Sequence, residues 1–313
     1  MAESISVVIP VYKAENSLRE LYNRLKEHLE KISKDFEIIM VEDCGGDKSW
    51  DIIKELSSAD SQVRGIQLSR NFGQHNALLC GIRNASKDII VTLDDDLQHP
   101  VEEIGTLLKE LSLGYDVVYG TPEKEQHGFL RDISSMITKI VLSNVMGAEN
   151  ARHVSAFRVF HAQLREAFAD YHGSFVSIDV LLTWGTTRFS AISVYHDLRR
   201  SGQSNYTFRK LVTHALNMVT GFSTVPLRLA SLIGFVFTFF GIITLFYVIG
   251  RYFVYGRVVP GFPFLASIIS IFSGAQLFAL GVIGEYLVRM HFRIMDKPPY
   301  VIRNISKDKT KIN

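Results

Sequence analysis

The stretch TLDDDLQHP, residues 92–100, sets three carboxylates, Asp94, Asp95 and Asp96, directly behind the apolar run Ile89-Ile90-Val91. Like charges this close raise the cost of ionising all three. A divalent cation removes that cost. In an extended segment residues two apart face the same way, so Asp94, Asp96 and Gln98 are expected to present three oxygen-bearing side chains together. Hard cations such as Mg²⁺ and Mn²⁺ take oxygen ligands, and Mg²⁺ commonly combines one or two protein carboxylates with substrate phosphates. The chain has no glycine-rich phosphate loop and no GxGxxG, so a bound cation would carry much of any phosphate binding. The same residues also read as an acidic surface turn capping the next helix.

The elements that must hold these groups alternate at short spacing. ISVVIPVY, FEIIMV, VRGIQLS, DIIVTL and YDVVYG read as strands from their β-branched and aromatic content. Between them, Leu18, Leu21, Leu25, Leu29 and Ile32 fall on one helical face. SWDIIKELSS, with Ser49 as its expected N-cap, QHNALLCGIRNA and VEEIGTLLKELS read as further helices. Pro100 stands in the first turn of the last of these, with Glu102 and Glu103 near its positive end. This pattern predicts an α/β fold, a mostly parallel sheet with helices on both faces. In such sheets ligands bind beyond the carboxyl ends of the strands. PVYKAEN, EDCGGDKS and DDDLQHP each turn polar where an apolar strand ends, so three strand ends point at one rim.

The whole chain narrows the partners. Its 313 residues carry 34 Lys and Arg against 32 Asp and Glu, which lacks the basic excess of a nucleic-acid binder. Cys44 and Cys80 are too few for a disulfide framework. The N-terminal stretch has no basic start and its apolar run ends at Pro10, so a signal peptide is not expected. After Arg228 no charge appears until Arg251. The roughly 22 residues between them span about 33 Å as a helix, enough to cross a bilayer's hydrocarbon core. FPFLASIISIFSGAQLFALGVIG follows a short link, so two spans are expected to form a transmembrane hairpin. The flanks carry Arg199, Arg200, Arg209, Lys210, Arg228, Arg289, Arg293, Lys297 and Arg303, against Arg251 and Arg257 in the link. That bias places both termini in the cytoplasm. Phe208, Leu211, Val212, Ala215, Leu216 and Val219 recur at helical spacing, which suits a helix in the headgroup layer or one packed on the soluble domain. Ser273, Gly274, Gly281 and Gly284 are small enough for close helix packing, so a homo-oligomer is expected. The expected boundaries are 1–205 for the cytoplasmic α/β domain, 206–226 for the amphipathic helix, 227–250 and 262–288 for the spans, and 289–313 for a cytoplasmic tail.

ISVVIPVYKAENSL, VEDCGGDKS, LSRNFGQHNA and TLDDDLQHP, then RRSGQSNYTFRKL, two apolar spans and GEYLVR, resemble the polyisoprenyl-phosphate glycosyltransferases of glycosyltransferase family 2, and the likeness runs over nearly the whole chain. The resemblance implies a GT-A, Rossmann-like fold. It also implies transfer of a sugar from a nucleotide sugar to a polyprenyl phosphate lipid, with Mg²⁺ or Mn²⁺. It puts Asp94, Asp96 and Gln98 on the metal-binding DxDxQ. It puts Pro10, Tyr12, Glu15, Asp43, Arg70, Asn71 and Gly73 around the nucleotide, and Arg199 and Ser204 near the acceptor. Two departures stand out: HVSAFRVF is nearest the SGFR segment of the mannose synthases but has Ala156 for Gly, and Glu42 occupies a position where Asp is common.

A phosphomonoester's second pKa is about 6, so a lipid phosphate attacks already ionised and needs positioning rather than a strong base. Arg131, Arg158 and Arg199 are the candidates to hold it, because guanidinium forks suit phosphate oxygens. Asp95 is expected to point away from the cation and to orient a sugar hydroxyl. Glucose from UDP-glucose is the first choice of sugar, with mannose, N-acetylglucosamine and formamido-arabinose open. A membrane-anchored nucleotide-sugar sensor or flippase subunit is the non-enzymatic alternative; it would need no acceptor arginines.

Overall fold

The computed structural model describes residues 4–122, 154–173, 176–194, 225–255 and 261–306. The chain divides into a sheet-bearing unit, Met1–Leu211 with Asp296–Asn313, and a helical unit, Val212–Met295.

The sheet-bearing unit is built on β1 (Ile5–Val11), β2 (Phe36–Glu42), β3 (Val63–Leu68), β4 (Ile89–Thr92), β5 (Val117–Pro122), β6 (Arg158–His161), β7 (Phe189–Val194) and β8 (Ile302–Ile305). They form one sheet in the order β7-β5-β6-β4-β1-β2-β3-β8. β1 pairs in parallel with β2 and β4, β2 with β3, and β5 with β7. The sheet is mixed because β6 runs antiparallel to β4 and β5, and β8 antiparallel to β3.

Helices α1 (Leu18–Ile32), α2 (Ser49–Ala59), α3 (Gln74–Asn84), α4 (Ile104–Leu111) and α5 (Ile178–Gly185) cover it. The 3.6-residue spacing of Leu18, Leu21, Leu25 and Leu29 buries all four in a core shared with Ile5, Val7, Ile9, Ile38, Met40 and Val91. Full burial of such a side chain contributes about 1.5–3 kcal/mol. α2 and α4 join this core through Ile53, Leu56, Ile104, Leu107 and Leu111. Alternate strand residues face the other way, and there α3 lies close on Val8 and Val41.

The expected N-cap role of Ser49 is corrected. Ser49 is the first residue of α2, Lys48 holds the capping position without a side-chain cap bond, and Asp47 Oδ1 accepts the Ser49 N–H at 3.2 Å. The Ser49 hydroxyl instead donates to Asp47 Oδ2 at 2.8 Å and accepts from Ala14 N at 3.0 Å. It therefore ties two strand-end loops together.

The helical unit holds α6 (Val225–Tyr255) and α7 (Phe262–Ile294). Both contain stretches long and apolar enough to cross a membrane, Val225–Arg251 and Ile271–Val288, and among their described side chains Ala230 is the one that is buried. Large apolar side chains such as Phe235, Phe246 and Leu277 stand exposed along them, as lipid-facing side chains do. The two helices touch through Phe237 and Phe272, ring edge to face at 5.7 Å. Gly274, Gly281 and Gly284 have open space beside them. Residues 206–224 of the expected amphipathic helix lie outside the described residues.

Candidate active site

The site forms where β1, β2 and β4 end. The expected extended run at Asp94–Gln98 is corrected first: β4 stops at Thr92 and the acidic residues lie in a turn. Leu97 adopts a left-handed backbone, φ 61. Such a conformation costs a non-glycine residue on the order of 1 kcal/mol, and burial of the Leu97 side chain in the main core helps offset it. Asp96 Oδ1 accepts the Gln98 N–H at 3.1 Å. That bond fixes the two residues against each other.

Each acidic residue has its own surroundings. Asp94 Oδ1 accepts from Gln74 Nε2 at 2.6 Å, and Asp94 N donates to His99 Nδ1 at 3.1 Å. His99 is buried and stacks on Phe157 at 5.6 Å between ring centroids. Burial lowers its pKa to about 4, so the ring is neutral at pH 7, with Nδ1 the acceptor. Asp95 turns to the first strand's loop: its Oδ2 accepts Tyr12 N at 2.9 Å and its carbonyl accepts the Ser17 hydroxyl at 2.6 Å. Burial pushes the Asp95 carboxyl up to about 7, against the pull of the Tyr12 N–H and with the charges of Asp94 and Asp96 adding to the rise.

The loop after β2 is held just as firmly. Glu15 N donates to Asp47 Oδ2 at 3.1 Å, and Lys48 N donates back to Glu15 Oε2 at 3.0 Å. Asp43 is buried, and its two oxygens accept Phe72 N at 2.7 Å and Gly73 N at 2.8 Å. Desolvation raises its pKa, opposed by those two N–H groups. Glu42, the departure noted above, reaches Gly45 N with Oε1 at 2.6 Å and closes the same loop. Glu15 and Asp43, expected at the nucleotide, and Asp95, expected on a sugar hydroxyl, thus each use a carboxylate to bind one loop to another.

The other nucleotide candidates line the same rim. Pro10 is buried in β1. The Tyr12 ring is half exposed, with Lys13 Nζ 5.4 Å from its centroid. Arg70 is exposed and stacks on Phe72 at 4.4 Å, and Asn71 is exposed beside it. Gly73, φ 96, precedes α3.

Arg158, expected on the acceptor phosphate, is 2% exposed and forms a buried ion pair with Asp179 at the start of α5. Tyr119 OH donates to the same Asp179 oxygen at 3.1 Å. Arg158 stands opposite Thr92 in the β4–β6 ladder, so the pair anchors the strand end that carries the acidic turn. Its guanidinium serves Asp179 rather than standing open to a ligand. Sequence reasoning missed Asp179 and Gln74; an acid in the first turn of a helix and an amide after a glycine carry no distinctive pattern. Arg131, Arg199 and Ser204 lie outside the described residues.

The donor set tests the fit of a cation. Asp94, Asp96 and Gln98 supply oxygens, which suit Mg²⁺ or Mn²⁺. Among the described residues no group of three or more His, Cys, Asp and Glu side chains is arranged to hold a metal ion. The chemistry of these oxygens suits a cation that completes its shell with substrate oxygens.

Comparison with known proteins agrees with the fold. Glucosyl-3-phosphoglycerate synthase from Mycobacterium tuberculosis, solved with phosphoglyceric acid, superposes with a TM-score of 0.50 at 18% identity, covering 70% of this chain and 78% of that one. The same enzyme solved with Mn²⁺ and UDP-glucose gives 0.50 at 16% identity, covering 70% and 77%. Over 304 residues the chain is 34% identical to the undecaprenyl-phosphate 4-deoxy-4-formamido-L-arabinose transferase of Shewanella sediminis (strain HAW-EB3), covering 96% of this chain and 92% of that protein. Residues 6–172, which span the three strand-end loops, match glycosyl transferase family 2. This chain is a glycosyltransferase with a GT-A fold and belongs to that family.

Proposed function

We propose that this glycosyltransferase moves a sugar from a nucleotide sugar to a polyprenyl phosphate, undecaprenyl phosphate being the first candidate, at the cytoplasmic face of a membrane. The observation that carries the reading is the 34% identity to the Shewanella transferase, which runs through 96% of the chain and so takes in both apolar helices. That relative's name also puts 4-deoxy-4-formamido-L-arabinose ahead of glucose as the sugar, with UDP-glucose the second donor to try.

In this reading Asp94, Asp96 and Gln98 hold a Mg²⁺ or Mn²⁺ ion. The ion would neutralise the donor diphosphate and the charge that builds on it as it leaves. The remaining work falls to the chain. Tyr12, Arg70 and Asn71 face the nucleotide on a rim that Glu15, Asp43 and Asp95 keep rigid. Arg131, Arg199 and Ser204 hold the acceptor phosphate. A phosphate oxygen forms the new bond to the anomeric carbon, the bond to the diphosphate breaks, and its electron pair leaves with the nucleotide. A single in-line displacement inverts the anomeric carbon. No proton has to be removed from an acceptor that arrives ionised, which agrees with Asp179 being committed to Arg158 and Tyr119. Arg158 accordingly moves from direct phosphate contact to support of the β4 end.

The test uses the full chain in lipid nanodiscs containing undecaprenyl phosphate. It is supplied with labelled UDP-sugars that include UDP-glucose and the formamido-arabinose donor, and lipid products are read by mass spectrometry. Glycolipid should form from one donor, and Asp96→Ala should lower its rate on the order of 100-fold or more. Near-normal turnover by Asp96→Ala would remove the metal role. Donor left unconsumed with and without lipid would favour a nucleotide-sugar sensor.

A further inference from the structure

We infer that Gln74 is a positioning residue for Asp94: it holds in place the carboxylate that would meet the cation. The inference rests on the metal reading above and deepens it. Gln74 is the first residue of α3, and its Nε2 lies 2.6 Å from Asp94 Oδ1. The two residues are twenty apart in sequence and come from different strand-end loops.

The backbone leading into Gln74 is held at Phe72 and Gly73, and the Gln74 side chain extends from it exposed. Gly73 before it takes φ 96, a conformation that side chains resist, and so turns the chain sharply into α3. Both Asp43 oxygens hold the N–H groups of Phe72 and Gly73, at 2.7 and 2.8 Å. Asn76 Nδ2 donates back to Phe72 O at 2.6 Å. The amide of Gln74 therefore extends from a fixed backbone. A free aspartate rotates about two torsions, and ordering it on binding costs free energy. A donor already in place on one oxygen removes part of that cost.

The chemistry of the donor matters as well. An amide is neutral, so it orients the carboxylate without cancelling the charge that attracts the cation. A lysine or arginine here would bring a competing positive charge. Partners of this kind commonly change metal affinity by about 10- to 100-fold when removed. The chain Asp43, Gly73, Gln74, Asp94 also joins the end of β2 to the end of β4. The loop beside the nucleotide and the carboxylate beside the diphosphate are thereby held as one piece.

The test compares the wild-type full chain with Gln74→Leu and Gln74→Ala, in detergent with saturating UDP, and titrates Mn²⁺ by electron paramagnetic resonance. UDP binding without Mn²⁺ and the thermal unfolding midpoint are measured alongside. Both variants should raise the Mn²⁺ dissociation constant by about 10- to 100-fold, with metal-free UDP binding and the midpoint unchanged. Asp96→Ala, run in parallel, should abolish Mn²⁺ binding. Variant Mn²⁺ affinities within twofold of wild type, beside normal wild-type binding, would overturn the role of Gln74 and leave the metal reading standing. An equal loss in metal-free UDP binding would overturn it too, because Gln74 would then act on the nucleotide or the fold. A wild-type chain that binds no Mn²⁺ would sink the metal reading and this inference with it.

Discussion

At the scale of single residues, the segment from Asp94 to His99 carries two groups whose protonation acts in opposite directions on stability. His99, buried with Nδ1 accepting the Asp94 N–H, titrates at about 4 in the fold against about 6.5 in an unfolded chain. Between those values the unfolded state binds the extra proton, so this group makes stability fall as pH drops from about 6.5 to 4. Asp95, pushed up to about 7, keeps its proton in the fold where the unfolded chain, with a pKa of about 3.9, has lost it. Its contribution makes stability fall as pH rises from about 4 to 7. The two slopes mask each other in the wild-type curve, and single replacements separate them. His99→Asn offers an amide oxygen where Nδ1 stands, but nothing that titrates. Unfolding midpoints measured from pH 4 to 7.5 in metal-free buffer should show His99→Asn gaining on wild type toward pH 4. Asp95→Asn should gain toward pH 7. Two variant curves parallel to wild type would mean that neither group carries these protons.

At the scale of elements, β1, α1, β2, α2, β3, α3, β4, α4 and β5 were legible because each is local. Four leucines at helical spacing or a β-branched run before a polar loop declare themselves without knowledge of partners. β6 and β8 were not legible. Arg158 opens β6 as a buried charge, which only Asp179 on a later helix makes tolerable. β8 pairs with a strand more than two hundred residues earlier, Gln67 opposite Asn304, and nothing local signals that register. For the site, the three loop ends were readable from their polarity. Their cross-links through Asp95, Asp43 and Gln74 were not, since each depends on where a turn carries a neighbouring loop. The tail's pairing is tight enough to test. Ser306 Oγ accepts Gly65 N at 2.8 Å and Ser306 N donates to Gly65 O at 2.9 Å. A Cβ on Gly65 would lie 2.3 Å from Ile53 Cγ2 and 2.9 Å from Ser306 Oγ. Gly65→Ala should therefore cost about 1–3 kcal/mol by overpacking, read as a lowered denaturation midpoint. Ser306→Ala, which loses only the side-chain bond, should cost about 1 kcal/mol. Wild-type stability in Gly65→Ala would show that α2 and the tail do not close on that strand.

At the scale of the whole molecule, β8 bears on topology. The chain leaves the sheet-bearing unit, runs through α6 and α7, and returns to the same sheet as its edge strand. A strand hydrogen-bonded to β3 has to lie on the same side of any membrane as β3. If α6 and α7 each cross a bilayer, the crossings come as a pair and the link 256–260 emerges opposite the sheet. The charge bias around the two spans then predicts a cytoplasmic sheet. Thiol labelling of intact cells with a membrane-impermeant maleimide decides this. Cys44 is exposed and Cys80 buried, so Cys44→Ser gives a background in which added cysteines report their own side. Val258→Cys, in the link, should label from outside. Arg303→Cys, exposed on β8, should label only after the cells are opened. Labelling of Arg303→Cys from outside would put the sheet on the far side of the membrane. Val258→Cys silent until lysis would mean that the two helices do not cross as a pair.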